Sequence, residues 1–376
     1  MSDAKKLLRE LIAVPSVNPA FVPAGYPQAG EQRVADFLAA TAARAGLPVE
    51  FQKVSRGRSN FITRFTPSGR ITKRILLAPH LDTVPLANDA QFSPVEKNGR
   101  IYGRGACDTK GSVAAMLSAL ITLSQRANRP AQTEIIFAGL VDEEDGQTGS
   151  RALAASGFKA DLAMVGEPTE CKIVTAHKGS LWLRLETRGK AAHGSRPEFG
   201  KNAVHEMARV VDFLETGYAA QLRRKQHPLL GRASVSVGTI SGGTQANIVP
   251  DHCAITIDRR TLPGETEQSA CREMQKFLRQ KKLTATIANS KPTSCLALET
   301  DFKLPLVQQF FRTASQMKPV GVDYFCDAAV LSQAGIPSIV FGPGNIAQAH
   351  TSDEWISVKS LEQSTAMLVR FFETLP

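Results

Sequence analysis

What the 376-residue chain lacks narrows it first. Its six cysteines, Cys107, Cys171, Cys253, Cys271, Cys295 and Cys326, are scattered, with no C-x-x-C pair and no dense framework. That spacing argues against a disulfide-stapled secreted domain and predicts a reduced, cytoplasmic protein. No long apolar run is present, and the amino-terminal MSDAKKLLRELIAV interrupts its apolar periodicity with acids and bases. It predicts a short amphipathic helix rather than a signal peptide or a spanning segment, so no membrane partner is expected. Internal repeats and low-complexity segments are also missing. The net charge is +10, yet Lys and Arg are spread along the chain and form no basic stripe interleaved with aromatics. Nucleic acid is therefore not an expected partner; the charge reads as solvated surface, with a bias toward acidic small molecules.

Hydrophobic residues at 43% and charged residues at 21% are those of a soluble globular protein, and the length suggests two domains. Within it, several short apolar runs stop abruptly at polar residues. In Arg74–Pro85, RILLAPHLDTVP, the run Ile75–Ala78 is too short for a helix and apolar on both faces, as expected of a strand inside a covered parallel sheet. His80 and Asp82 follow at its carboxyl end, the edge where open α/β sheets collect ligands. Spaced two apart on extended chain, the carboxylate is able to reach the imidazole's far nitrogen and set its tautomer. EIIFAGLV, residues 134 to 141, then ends in Asp142, Glu143, Glu144 and Asp145, and a short run from Leu162 to Val165 ends at Gly166 and Glu167. Four adjacent acids are ordinarily surface, but like charges held together past a buried strand call for a cation. Between these strands, IYGRGACDTK is a tight turn leading into the apolar helix GSVAAMLSALITLSQ. Asp108 at that junction reads either as an N-cap or as a carboxylate rigid enough to bridge two cations.

Residues 14 to 30, rich in Pro, Gly and Asn, read as a surface loop, followed by a helix from Glu31 to Ala45 that stops at Gly46. From about residue 179 the pattern changes. Leu181, Leu183 and Leu185 alternate with polar or amphipathic residues. A helix at Asn202–Glu215, strands near 233–240 and 253–261, a helix at 265–280 and a strand at 283–288 complete a β-α-β-β-α-β order, which is ferredoxin-like. After residue 290 the α/β pattern resumes with helices at 302–316 and 326–334, a strand at 336–341 ending in Gly342-Pro343-Gly344, then His350 and a last helix over 358–374. The expected fold class is α/β. A mostly parallel sheet with helices on both faces, residues 1–178 and 290–376, carries an inserted ferredoxin-like domain, residues 179–289. The turn at Gly342 and Gly344 offers backbone N–H groups to a substrate.

Collected, His80, Asp108, Glu144, Glu167 and His350 are two imidazoles and three carboxylates. This is a ligand set for two zinc ions sharing one carboxylate, with cobalt or manganese as substitutes. The segments APHLDTVP, GRGACDTKGSVAAM, VDEEDGQTGS, MVGEPTE, AAHGSRPEFGKNA and FGPGNIAQAHTSDEW span nearly the whole chain. They resemble, in order, the zinc amidohydrolase and peptidase family that includes acetylornithine deacetylase, succinyl-diaminopimelate desuccinylase, aminoacylase and glutamate carboxypeptidase.

The resemblance implies that Asp108 bridges two metals, that His80 and Glu167 complete one site, and that Glu144 and His350 complete the other. It makes Glu143 the general base and acid, with Asp82 behind His80, and implies a cis peptide bond after Asp108. The insert would be a lid and homodimerisation domain, with His193 reaching the neighbouring subunit's site. Asn247 and Arg260 would grip a substrate carboxylate, Arg260 being preferred over Arg259 by its spacing from Asn247. Asp327 matches a family position with a structural role. The implied activity is hydrolysis of the amide of an N-acyl amino acid, closest to the acetylornithine deacetylase branch. The alternative is a metallo-carboxypeptidase or dipeptidase with the same machinery. A non-catalytic binding module is disfavoured because all five ligands and Glu143 are present.

Overall fold

The structure, a computed structural model, describes residues 3–290 and 295–376. The chain divides into two compact units, one made of Met1–Thr175, Thr300–Val320 and Cys326–Pro376, the other of Ala176–Glu299 and Gly321–Phe325. The span 179–289 lies inside the second unit, which reaches further at both ends and also takes in the short segment Gly321–Phe325.

The first unit opens with α1 (Asp3–Ile12), α2 (Gln32–Arg44), β1 (Glu50–Ser55), β2 (Arg58–Phe65) and β3 (Lys73–Pro79). It continues with α3 (Lys110–Ser124), β4 (Thr133–Gly139), α4 (Thr148–Ala155) and β5 (Leu162–Gly166). The second unit holds β6 (Gly179–Arg188), α5 (Ala203–Phe213), β7 (Ser234–Gly242), β8 (His252–Thr261), α6 (Glu267–Gln280) and β9 (Thr286–Asn289). The chain then returns to the first unit for α7 (Pro305–Ala314), α8 (Ala328–Gln333), β10 (Ser338–Val340) and α9 (Val358–Glu373).

In the first unit the strands run β1-β2-β4-β3-β5-β10, with β4, β3, β5 and β10 parallel and β1 and β2 antiparallel at one side. Every residue of β4 and β5 is buried, as is β3 from Ile75 onward, because the sheet is covered on both faces. Helix α3 is buried around almost its whole circumference and packs on α1 and α9, which accounts for a sequence apolar on all sides. Register decides what emerges together. Pro79 of β3 lies opposite Gly166 of β5, and His80 bridges Leu140, so His80, Glu167 and the acids after Val141 leave the sheet at one edge.

Two expectations change. Residues 14–30 are not simply surface: Ser16, Val17 and Asn18 are fully buried, because Val17 bridges Thr83 and Asn18 N–H donates to Thr83 O. The helix expected over 326–334 is the shorter α8, which starts only after Asp327.

The second unit is a four-stranded antiparallel sheet in the order β7-β8-β6-β9, the ferredoxin-like arrangement. Leu181, Leu183 and Leu185 face inward against Met207 and Val210 of α5 and Met274 and Leu278 of α6, while Trp182 and Arg184 face out. The last strand begins at Thr286, later than the expected 283. No described helix is long and apolar enough to cross a membrane.

Candidate metal centre

The turn between Gly103 and Thr109 sets the geometry. Thr109, not Asp108, occupies the N-cap position of α3, so Asp108 is not needed as a cap; the Thr109 hydroxyl donates to Gly166 O at 2.9 Å and the Asp108–Thr109 peptide is cis. Asp108 is buried, and its two carboxylate oxygens point to different imidazoles. Oδ1 lies 3.0 Å from His80 Nε2, and Oδ2 lies 3.3 Å from His350 Nε2. Asp108 belongs to two groups, one with His80 and Glu167 and one with Glu144 and His350, each with its ligand atoms within 4.8 Å of one another. His350 Nε2 is 3.2 Å from Glu144 Oε2, and His80 Nε2 is 4.0 Å from Glu167 Oε1.

The electrostatics are those of a site built for cations. Hydrogen bonds to Asp108 and Glu144 push the His350 pKa up to about 10. His80 is also held well above the usual imidazole value, because Asp108, Asp82 and Glu167 outweigh the burial that opposes its charging. Burial first, and then the negative charge of Asp108, raises Glu144; burial and the same carboxylate raise Glu167 against the pull of His80. Glu144 Oε1 and Glu167 Oε1 are buried with no hydrogen-bond partner among the described residues. A buried carboxylate oxygen left unmet is costly, and a cation is the partner that would satisfy both. The donor set of imidazole nitrogens and carboxylate oxygens fits zinc or a similar divalent ion.

Glu143 sits beside this centre without belonging to either group. It is buried, and burial together with the Glu167 charge raises its pKa well above the carboxylate range. Asp82 organises both sides. Its backbone carbonyl lies 3.0 Å from His80 Nδ1 and its Oδ1 3.4 Å away, while its carboxylate accepts the N–H groups of Glu143 and Glu144, each at 3.1 Å. Burial pushes the Asp82 pKa up, but the His80 contact, Asn18 and the Glu144 amide hold it low. Asp82→Asn is therefore expected to weaken zinc affinity or turnover roughly 10- to 100-fold, with the circular-dichroism spectrum unchanged; an unaffected enzyme would refute the pairing.

Sequence reasoning did not single out the supports of the acidic loop. Asn18 Nδ2 donates to Asp82 Oδ2 at 2.7 Å and to Asp142 Oδ1 at 3.1 Å. Arg58 pairs with buried Glu31 and, at 2.9 Å, with Asp142, whose φ of 70° turns it away from its neighbours.

Gly342 and Gly344 are packed tightly. A Cβ at Gly342 would come 2.3 Å from Ser112 Oγ, and Gly344, at φ +88°, would put one 2.6 Å from Cys107 Sγ. Their N–H groups, which the sequence offers to a substrate, donate instead to the hydroxyls of Thr169 and Ser360. Asp327 is buried and accepts from Ser150 Oγ at 2.5 Å; burial moves its pKa to about 7.

His193, Asn247 and Arg260 belong to the second unit. His193 is exposed, pairs with Ser195 Oγ at 2.7 Å and bridges Ile248, which places it next to Asn247, whose carbonyl accepts Gly194 N–H at 2.7 Å. Arg260 is partly exposed, paired with Asp258 at 2.9 Å and close to the Phe325 ring; Arg259 is fully buried against Tyr218 and Glu265. Of the two arginines, only Arg260 has a guanidinium open to solvent.

A parallel sheet delivering two carboxylate–imidazole groups that share one aspartate defines a candidate dinuclear metal centre. The chain belongs to peptidase family M20/M25/M40, whose profile matches residues 76–374. It is 30% identical over 385 residues to an acetylornithine deacetylase of Proteus mirabilis, covering 98% of this chain and 95% of that one. Among solved structures it resembles aminopeptidase PepT of Bacillus cereus, with a TM-score of 0.80 and 23% identity over 99% of this chain and 97% of that one. It also resembles a Bacillus subtilis dinuclear metal binding peptidase of the M20 family, with a TM-score of 0.72 and 14% identity over 98% and 96% of the two chains. The protein is thus a hydrolase of amide bonds.

Proposed function

We propose that the protein is a dinuclear zinc deacylase that cleaves the amide of an N-acyl amino acid of the N-acetylornithine or N-succinyl-diaminopimelate type. The observation that carries this reading is Asp108, one carboxylate whose two oxygens serve two separate ligand groups. His80 and Glu167 would hold one ion, and Glu144 and His350 the other. Such a pair supplies Lewis acidity toward an acyl oxygen and makes water more acidic. Glu143 then accepts the proton of the attacking water as the oxygen bonds to the acyl carbon, and returns it to the amine as the C–N bond breaks. Its raised pKa suits a group that must carry that proton between the two steps. The relative of 30% identity along nearly the full length supports the deacylase branch.

His193 is read as a catalytic group that helps hold the tetrahedral oxyanion in the neighbouring subunit's site, and Asn247 and Arg260 as groups that grip the substrate carboxylate, in a homodimer formed through residues 179–289. Zinc-loaded protein assayed on N-acetylornithine, N-succinyl-diaminopimelate and simple dipeptides separates the readings. Turnover of dipeptides alone would replace the deacylase by a carboxypeptidase or dipeptidase. A monomeric mass by light scattering would remove the role of His193 across subunits.

A further inference from the structure

Beneath the turn that carries Asp108 lies a second carboxylate that the proposed chemistry does not use. Glu354 has a fully buried side chain and gathers four donors on two oxygens. Oε1 accepts Cys107 N–H at 2.8 Å and Asp108 N–H at 3.0 Å; Oε2 accepts Gly105 N–H at 3.0 Å and Arg104 Nη1 at 2.8 Å. Its own carbonyl accepts Gly103 N–H at 3.0 Å. The segment that bears it is locked in place: Trp355–Ser357 pairs antiparallel with Arg100–Tyr102, and the Arg100 guanidinium stacks 3.8 Å from the Trp355 ring centre. From the other side, buried Lys110 donates to Leu11 O and Val14 O at the end of α1.

The spacing couples two loops. His350 lies four residues before Glu354, so one short segment carries both an imidazole of the centre and the carboxylate that seats the bridging aspartate. A carboxylate suits this place for a chemical reason. Each oxygen takes two N–H donors, whereas an amide has one acceptor oxygen and would set its NH₂ against two of them. Leaving buried donors unmet loosens the turn that they hold.

We propose that Glu354 is a positioning residue of the metal centre, holding Asp108 and His350 in fixed relation through the amides of Gly105, Cys107 and Asp108. The inference rests on the ligand assignment above. In the test, metal-free wild-type and Glu354→Gln proteins are titrated with zinc against a chromophoric chelator, with melting curves of both metal-free forms. The expected result is zinc affinity lowered roughly 10- to 100-fold, a native metal-free circular-dichroism spectrum, and kcat reduced with KM little changed. Wild-type affinity in the variant would overturn the role, even if its melting temperature fell. Should Glu354→Gln not fold, Glu354→Asp, which keeps the charge but is one methylene short, is measured in the same way and judged by the same affinity. Failure of both to fold would assign Glu354 to folding and overturn the positioning role. Wild-type protein that takes up no zinc would overturn the ligand assignment itself.

Discussion

Glu143→Gln is expected to lower kcat by about 100- to 10,000-fold while zinc uptake, KM and fold are retained. The side chain belongs to neither ligand group, so the ions would lose nothing that binds them. Its backbone N–H is held by Asp82 whatever the side chain, so the loop stays in place. The replacement is isosteric and removes a group whose ionised form is opposed by burial and by the charges of Glu167, Asp327 and Glu144, so the metal-free melting temperature is expected to hold or rise slightly. Only proton transfer is taken away, and an effect confined to kcat is its kinetic sign. Turnover at the wild-type rate on every amide tested would show that another group moves the proton.

Asp108→Ala is expected to reduce activity to the level of metal-free protein and to lower zinc uptake at both groups together. Among the described residues no other serves both groups: Oδ1 faces His80 and Oδ2 faces His350. Without it buried His80 loses its nearest carboxylate, His350 keeps only Glu144, and Glu144 and Glu167 remain with unmet oxygens. Chelation of the wild-type enzyme is expected to give the same residual rate, with added zinc restoring the wild type and leaving the variant inactive. Metal analysis that found one full-occupancy ion in Asp108→Ala would show that the carboxylate is not shared.

Much of the site is legible along the chain because His80, Glu143, Glu144 and Glu167 each follow closely on a buried strand. A run apolar on both faces has to lie inside a covered sheet, and the residue after it has to leave at the sheet's edge. Ile75–Ala78 therefore announces His80, residues 134–141 announce Glu143 and Glu144, and Leu162–Val165 announces Glu167. The ferredoxin-like order of the second unit is legible for the same reason, since Leu181, Leu183 and Leu185 keep period two. What supports these groups is not. Asn18 reaches Asp82 across 64 residues, and Glu354 reaches the Asp108 amide across 246. No local pattern marks such partners, and the polar loop around Asn18 looks like surface until its burial is known.

The sequence alone determined which chemical groups end the buried strands, and hence that the His80 imidazole and several carboxylates would share one edge. Tertiary structure decided what each of them faces. Among the four acids after Val141, Asp142 turns to Arg58 and Asn18, Glu144 meets His350, and Glu143 stays buried beside Glu167. Asp108 is placed between two histidines because Glu354 seats its backbone and Thr109 takes the helix cap. The physical reason is one of range. Periodicity records the burial of a residue within its own element, whereas the partner of a buried charge is set by the register between strands and by loops hundreds of residues apart.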